Sequence, residues 1–392
     1  MERSELDVLP LKAWGLGLDR PLLIAGPCSA ESRDQVLGTA AGIVGHAPQV
    51  RVFRAGAWKP RTRPGTFEGA GAKALEWLHE VRERYGLLTI IEVATPEHVR
   101  AALEAGIDML WIGARTVPNP CSVQAIADAL EGSDVPILVK NPINPDLQLW
   151  IGALERLNRS GLKRLAAVHR GFSWGGATPY RNHPMWEFPI RLKAAYPELD
   201  LIADPSHVAG STDKLQEVAQ QALDLNFSGL MVETHRDPQG ALSDAEQQIA
   251  PNALARLLDA LVFRRAAPSG ALRDTLVELR EQIDRLDADI AQKLGARMEI
   301  ASRIGLYKRE HNVAILQPER WERIMAAQHA LGARIGLDRV FIEAFMNAVH
   351  QESIRHQTAV WEAASGSPAN AAERLENGSQ LPLSSGSSAR KT

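Results

Sequence analysis

Eight short runs of apolar and β-branched residues recur between residues 22 and 234, with segments of helical spacing between them. The runs are Leu22 to Cys28, Val50 to Gly56, Leu87 to Val93, Met109 to Ala114, Pro136 to Asn141, Arg164 to Gly171, Leu199 to Pro205 and Gly229 to Thr234. Among the intervening segments, Ala72 to Tyr85, Pro96 to Ala105, Asp146 to Arg159 and Thr212 to Leu223 space Leu, Ala and Val as a helix does. This alternation predicts a parallel α/β fold. Eight strand and helix pairs predict closure into a (β/α)8 barrel, which typically takes roughly 250 residues. An open doubly wound sheet would carry a Gly-rich dinucleotide turn after its first strand, and Gly26-Pro27-Cys28-Ser29 is not one.

Barrel enzymes carry their reactive groups at the C-terminal ends of the strands. Here those ends bear Arg54, Arg115, Lys140 and Arg170, and the loop after the second strand adds Lys59 and Arg61. Cations crowded into one mouth repel each other unless anions bind among them. The stretch from Arg54 to Phe67 is suited to holding anions, because guanidinium groups give bidentate bonds to phosphate or carboxylate, Pro60 and Pro64 stiffen the loop, and Gly65 lets it turn. The ends of strands one, seven and eight carry Cys28, His207 and Glu233, with Asp244 in the loop that follows. Closure makes these strands neighbours. A thiolate, an imidazole and two carboxylates on adjoining strands form a donor set for a divalent metal, with Mn, Fe, Co and Zn all compatible.

With 392 residues the chain exceeds one ordinary core, so two domains are expected. The formal charge of -3 gives no reason to expect nucleic-acid or polybasic membrane binding. Two cysteines, Cys28 and Cys121, make no disulfide framework and fit a reducing compartment. Near Met1 the acidic Glu2, Glu5 and Asp7 replace the basic start of a secretory signal, and no apolar run is long enough to span a bilayer. A cytoplasmic protein is expected.

Six motifs, in order, resemble those of 3-deoxy-D-arabino-heptulosonate 7-phosphate (DAHP) synthases. They are Gly26-Pro27-Cys28, Lys59-Pro60-Arg61-Thr62, Gly113-Ala114-Arg115, His169-Arg170-Gly171-Phe172, Asp204-Pro205-Ser206-His207 and Met231-Val232-Glu233. The likeness covers about residues 15 to 263 and is similar to the barrel-only subtype shared with the 3-deoxy-octulosonate 8-phosphate (KDO8P) synthases. It implies a metal-dependent condensation of phosphoenolpyruvate with erythrose 4-phosphate. By the same resemblance, Cys28, His207, Glu233 and Asp244 match the metal ligands. Arg54, Lys59, Arg115, Lys140 and Arg170 match the phosphoenolpyruvate site, with Arg61 and Thr62 at the erythrose 4-phosphate. KDO8P synthase is the alternative. Its loop has an inserted Asn that Lys59-Pro60-Arg61 lacks, which favours the four-carbon aldehyde.

Phe263 to Gly270 shifts to a linker composition. The expected division is therefore a barrel over 1–263, a linker over 264–270, an all-α domain over 271–362 and a disordered tail over 363–392. Leu272, Leu276, Leu279, Ile283, Leu286 and Ile290 recur at helical intervals, and helix-compatible residues run on to about Arg309. Forty residues give on the order of 60 Å of helix, too long for so small a domain to cover, so an intertwined homodimer is expected. Two further helices are read over Pro318 to Leu331 and Leu337 to Glu362. Arg297 and Lys308 lie nearly on one face, roughly 16 Å apart along the axis, and Arg280 would have to come from a partner.

Residues 271 to 362 resemble the all-helical chorismate mutases, through Leu279-Arg280, Ile283-Asp284, Leu286-Asp287, Arg297, Lys308, Gln317-Pro318-Glu319-Arg320, Glu352-Ser353 and Gln357. The resemblance implies that the partner's copy of Arg280, with Arg297 and Arg320, binds the carboxylates of chorismate. Lys308 and Gln357 would serve the ether oxygen, with Ser353 a lesser contact. The sequence departs from the family at Gln317 and Trp321, where many members carry an Asp and a Glu. The alternative is a helical domain that mainly dimerises and binds a regulatory ligand. Inhibition of the barrel by prephenate is a further expectation.

Overall fold

The computed structural model describes residues 5–59, 65–264 and 271–363. By its contacts the chain divides into two compact units, Met1–Ala267 and Pro268–Thr392. The first is a closed barrel of eight parallel strands in sequence order, sealed by pairing of the first strand with the last. The strands are β1 (Leu22–Gly26), β2 (Val52–Arg54), β3 (Leu88–Val93), β4 (Met109–Ile112), β5 (Ile137–Lys140), β6 (Leu165–His169), β7 (Asp200–Ala203) and β8 (Gly229–Glu233). The helices around them are α1 (Arg33–His46), α2 (Lys73–Tyr85), α3 (Pro96–Glu104), α4 (Pro120–Ala129), α5 (Leu147–Arg159), α6 (Glu187–Ala195), α7 (Pro205–Ala209), α8 (Leu215–Asp224) and α9 (Pro251–Ala260). Each expected run contains one strand. Most strands stop short of the end of the run because pairing ends where the chain turns into the mouth, leaving Cys28, Gly56, Ala114, Asn141 and Gly171 beyond the ladder.

Side-chain alternation along a strand, with its period of two, explains both the core and the site. Leu22, Ile24, Val52, Ile90, Met109, Trp111, Leu138, Ala166, Val168, Ile202 and Met231 fill the interior of the barrel. Their neighbours Leu23, Ala25, Phe53, Ile91, Leu110, Ile112, Ile137, Val139, Ala167, Leu201, Leu230 and Val232 pack outward against the helices. The next inward position falls at the mouth, and there the residues change character: Gly26 and Gly113 on β1 and β4, and Arg54, Glu92, Lys140, Arg170, Asp204 and Glu233 on the other six. Leu11, Trp14 and Leu18 join the interior cluster from the other end, where Leu11 N–H donates to Asp200 Oδ2 at the start of β7. The barrel interior is thus apolar between the buried Asp200 at its base and the ionic groups at its mouth.

The second unit consists of α10 (Ala271–Glu310), α11 (Pro318–Ile335) and α12 (Arg339–Ala363). Met298, Ala301, Ile342, Met346 and Val349 form its buried apolar seam. The first half of α10 has no such cover among the described residues: Leu272, Leu279, Ile283, Leu286 and Ile290 are all exposed, Leu286 by 61%. Ala363, expected in the tail, still belongs to α12, whereas 364–392 and the linker residues 265–270 lie outside the described residues.

Candidate active sites

The mouth of the barrel holds an interlocked set of charges. Arg54, 1% exposed, pairs with Glu233 Oε1 at 3.0 Å and stands 5.0 Å from the centre of the Trp111 ring. Its Nε and Nη1 are buried with no hydrogen-bond partner among the described residues. Lys140 lies 5.6 Å from the same ring and pairs with Asp204 Oδ2 at 2.7 Å. That carboxylate oxygen is also 2.8 Å from His207 Nδ1, while Asp204 Oδ1 accepts from the His207 backbone N–H at 3.2 Å. Asp204 therefore fixes both Lys140 and the turn that carries His207. Burial opposes ionisation of Asp204, yet His207 and Lys140 outweigh it and hold the carboxyl well below its usual range. Arg170 is anchored on Asn182 Oδ1 at 2.7 Å, and burial lowers it to about 10.

Lys59 Nζ donates to the Cys28 carbonyl at 2.9 Å and to Cys28 Sγ at 3.1 Å. The thiol in turn lies 3.1 Å from Asp244 Oδ2. Burial, with the Glu233 carboxylate adding to it, pushes the Cys28 thiol up to about 12. Two glycines make the approaches possible. A Cβ on Gly26, whose φ is +146°, would stand 2.1 Å from the Arg54 carbonyl oxygen, and one on Gly113 would stand 1.9 Å from Glu92 Oε1.

Of the four residues expected to ligate metal, Cys28, Glu233 and Asp244 each bring a donor atom within 4.8 Å of the others. His207 is not part of that trio, although its Nε2 is 3.8 Å from Glu233 Oε1. One thiol, two carboxylates and a nearby imidazole fit a divalent cation, which would replace the thiol proton. Of the expected anion-binding residues, Lys59, Arg115, Lys140 and Arg170 line one cleft together with Glu92, Arg181, His207 and Asp244, while Arg54, at the end of β2, shares the Trp111 ring with Lys140. Arg61 and Thr62 lie outside the described residues.

Three mouth residues had no role in the sequence reading. Arg181 donates to Asp244 Oδ1 at 3.0 Å and to Gln247 Oε1 at 2.6 Å. Against the cost of burial, Arg181 holds Asp244 below its usual range. Glu92 is the inward residue one step beyond Ile90, and Asp204 stands in the same register beyond Ile202. Counting inward positions would have found these two, whereas Arg181 sits in an irregular loop with no such signal.

In the helical unit Arg297 donates to Ser353 Oγ across α10 and α12. Lys308 Nζ donates to the Ile315 carbonyl at 2.6 Å. Gln357 is buried on the Ser353 side of α12, its Nε2 donating to the Ser353 carbonyl at 3.3 Å and its Oε1 without a partner among the described residues. Burial lowers both Arg297 and Lys308. Arg320 is exposed in the first turn of α11. Arg280 is exposed on α10, roughly 25 Å along the axis from Arg297, and one chain does not bring the two together. Trp321, where many mutases carry Glu, stacks on His350 with ring centres 4.1 Å apart.

Residues 12–263 match the model of the DAHP synthetase I family, and residues 279–358 match that of chorismate mutase type II. A phospho-2-dehydro-3-deoxyheptonate aldolase of Thermotoga maritima is 31% identical over 58% of this chain and 64% of its own length, so the match spans just under two thirds of that relative. A 2-dehydro-3-deoxyphosphooctonate aldolase of Brucella canis is 28% identical over 62% of this chain and 91% of its own. A crystal structure of a Thermotoga maritima DAHP synthase superposes with a TM-score of 0.55 at 28% identity, covering 61% of this chain and 67% of that one. The chain belongs to the DAHP synthetase I family, and behind its barrel it carries a helical region of the chorismate mutase type II kind.

Proposed function

We propose that the protein is a bifunctional enzyme of aromatic biosynthesis, with a barrel domain over 1–263 and a helical domain over 271–362 joined by the linker 264–270. The barrel condenses phosphoenolpyruvate with erythrose 4-phosphate, and the helical domain rearranges chorismate to prephenate. The observation that carries the first reading is Arg54. It is a fully buried guanidinium with two nitrogens unpartnered among the described residues, sharing the Trp111 ring with Lys140, which lines a cleft with Lys59, Arg115 and Arg170. Buried donors without partners cost on the order of 1–3 kcal/mol each, and an anion that accepts from them relieves that cost.

In this reading Arg54, Lys59, Arg115, Lys140 and Arg170 bind the carboxylate and phosphate of phosphoenolpyruvate and present its enol carbon to the aldehyde. Arg61 and Thr62 hold the phosphate of erythrose 4-phosphate. Cys28, His207, Glu233 and Asp244 would hold a divalent ion (Mn, Fe, Co or Zn), which supplies Lewis acidity toward the aldehyde when bound. Once carbon has joined carbon, the positive charge at C2 of the former enol takes up water and phosphate departs. The cations that bound the phosphate stabilise it as it leaves. Relatives of both substrate classes match the barrel, so the choice rests on the loop. Lys59-Pro60-Arg61 lacks the Asn of the KDO8P enzymes, which supports erythrose 4-phosphate and the barrel-only subtype.

The mutase reading is supported by Arg297 bonded to Ser353 across α10 and α12, with Gln357 one turn further along α12 and Lys308 near the end of α10. Together with Arg320, and Arg280 from a second copy, they hold the carboxylates and ether oxygen of chorismate in the reactive conformation. The exposed apolar stripe Leu272, Leu279, Ile283, Leu286 and Ile290 supports a homodimer. We further propose that prephenate, bound at the helical domain, inhibits the barrel. No helix among the described residues is long and apolar enough to cross a membrane, and the chemistry fits a cytoplasmic location. Nothing in the charge balance invites nucleic acid. Supplying the full chain with chorismate and following its absorbance tests the mutase reading. Decay at the spontaneous rate leaves the helical domain as a dimerising and regulatory module.

A further inference from the structure

Chorismate presents two carboxylates and an ether oxygen, which only accept hydrogen bonds, and a single hydroxyl, which donates. The polar groups assigned to the helical site are mostly donors: Arg297, Lys308, Arg320 and the amide of Gln357. The hydroxyl therefore requires an acceptor among them. Trp321, beside Arg320, cannot supply one, because an indole nitrogen only donates.

His350 meets the requirement. It lies on α12 three residues before Ser353 and seven before Gln357, a spacing that puts all three on one helix face. Trp321 of α11 holds its ring in place, 4.1 Å centre to centre and 20° from parallel. No hydrogen bond to another described residue engages the ring nitrogens, and the ring is only partly buried. Partial burial first, then the charges of Arg297 and Lys308, hold the imidazole below its ordinary value. Arg297, bonded to Ser353 three residues further along α12, lies against the helix face that carries His350. An uncharged imidazole keeps one nitrogen lone pair for a donor.

We propose that His350 is a substrate-contacting residue of the helical site, with a ring nitrogen that accepts a hydrogen bond from the ring hydroxyl of chorismate while Trp321 fixes the orientation of the ring. This rests on the mutase reading. Among the described residues, the buried Gln357 Oε1 also lacks a hydrogen-bond partner. Gln357 must present its amide N–H to the ether oxygen, so that group is committed elsewhere.

The test measures kcat and KM of the full chain with chorismate and with the analogue that lacks the ring hydroxyl. His350→Phe keeps a ring to stack on Trp321 and removes the nitrogens, whereas His350→Gln keeps an acceptor and loses the stack. The expected result for His350→Phe is about a tenfold fall in kcat/KM on chorismate, the size of one hydrogen bond, with no change on the analogue. His350→Gln should recover part of the loss. An unchanged rate on chorismate, or an equal fall on both substrates, would overturn the proposal. If His350→Phe does not fold, His350→Ala is judged by the same comparison. Failure of the wild-type chain on chorismate would strike the mutase reading instead.

Discussion

The Lys59 ammonium donates to Cys28 Sγ at 3.1 Å, so the cation assigned to phosphoenolpyruvate touches the thiol assigned to the metal. The two halves of the barrel site are therefore one electrostatic unit, and a change at either residue reaches both. Replacing Cys28 by Ala removes the soft donor and leaves Lys59 without its thiol partner. We expect metal retained after desalting to fall at least about tenfold, and condensation to drop to background. Elemental analysis of the desalted protein beside the rate of phosphoenolpyruvate loss checks both. Full activity with normal metal content would refute the ligand assignment.

Asp204 accepts from the buried Lys140 while supporting the turn that carries His207. Asp204→Asn leaves a buried ammonium without its counter-charge, which typically costs about 3–5 kcal/mol. A lower denaturation midpoint of the barrel, together with a higher KM for phosphoenolpyruvate, is expected. An unchanged midpoint would show that Lys140 finds another partner.

The pH dependence has a definite sign. Asp204, Glu233 and Asp244 all titrate below their ordinary values, against the opposing effect of burial, because cations surround them. Their contribution to stability is full above the unfolded-state values near 4 and is lost as pH falls through the depressed folded values. The melting temperature of the metal-free barrel should hold from neutrality to about pH 5 and then fall below about pH 4. Calorimetry against pH checks this, and a barrel whose stability rises on acidification would contradict it.

Arg297, bonded to Ser353, is the cation proposed to bind both chorismate and prephenate. Saturating prephenate should slow condensation by the wild-type chain. Arg297→Ala should lose about a hundredfold or more in mutase kcat/KM and should no longer respond to prephenate. Condensation that ignores prephenate in the wild type would remove the regulatory proposal and leave the mutase untouched.

The barrel was legible because its signal is local. Inward and outward positions alternate along each run, and the residue that ends each inward row, ionic on six strands and Gly26 or Gly113 on the other two, can be named from the sequence. Arg54, Lys140, Arg170 and Glu233 follow from that rule. Asp204 obeys it too, but before Pro205 an Asp reads equally as a helix cap, which in the structure it also is. Arg181 reaches Asp244 across 63 positions from an irregular loop, and no periodicity reports such a contact. The long α10 was legible from spacing alone, whereas the stack of Trp321 on His350 depends on the packing of α11 against α12. A histidine amid Phe345, Met346 and Val349 reads as part of an apolar helix face until its partner is seen.

The most direct measurement is the rate at which the metal-loaded full chain consumes phosphoenolpyruvate when offered erythrose 4-phosphate or arabinose 5-phosphate. We predict rapid, chelator-sensitive loss with erythrose 4-phosphate and little with arabinose 5-phosphate. No loss with either aldehyde, or faster loss with arabinose 5-phosphate, would contradict the proposed condensation.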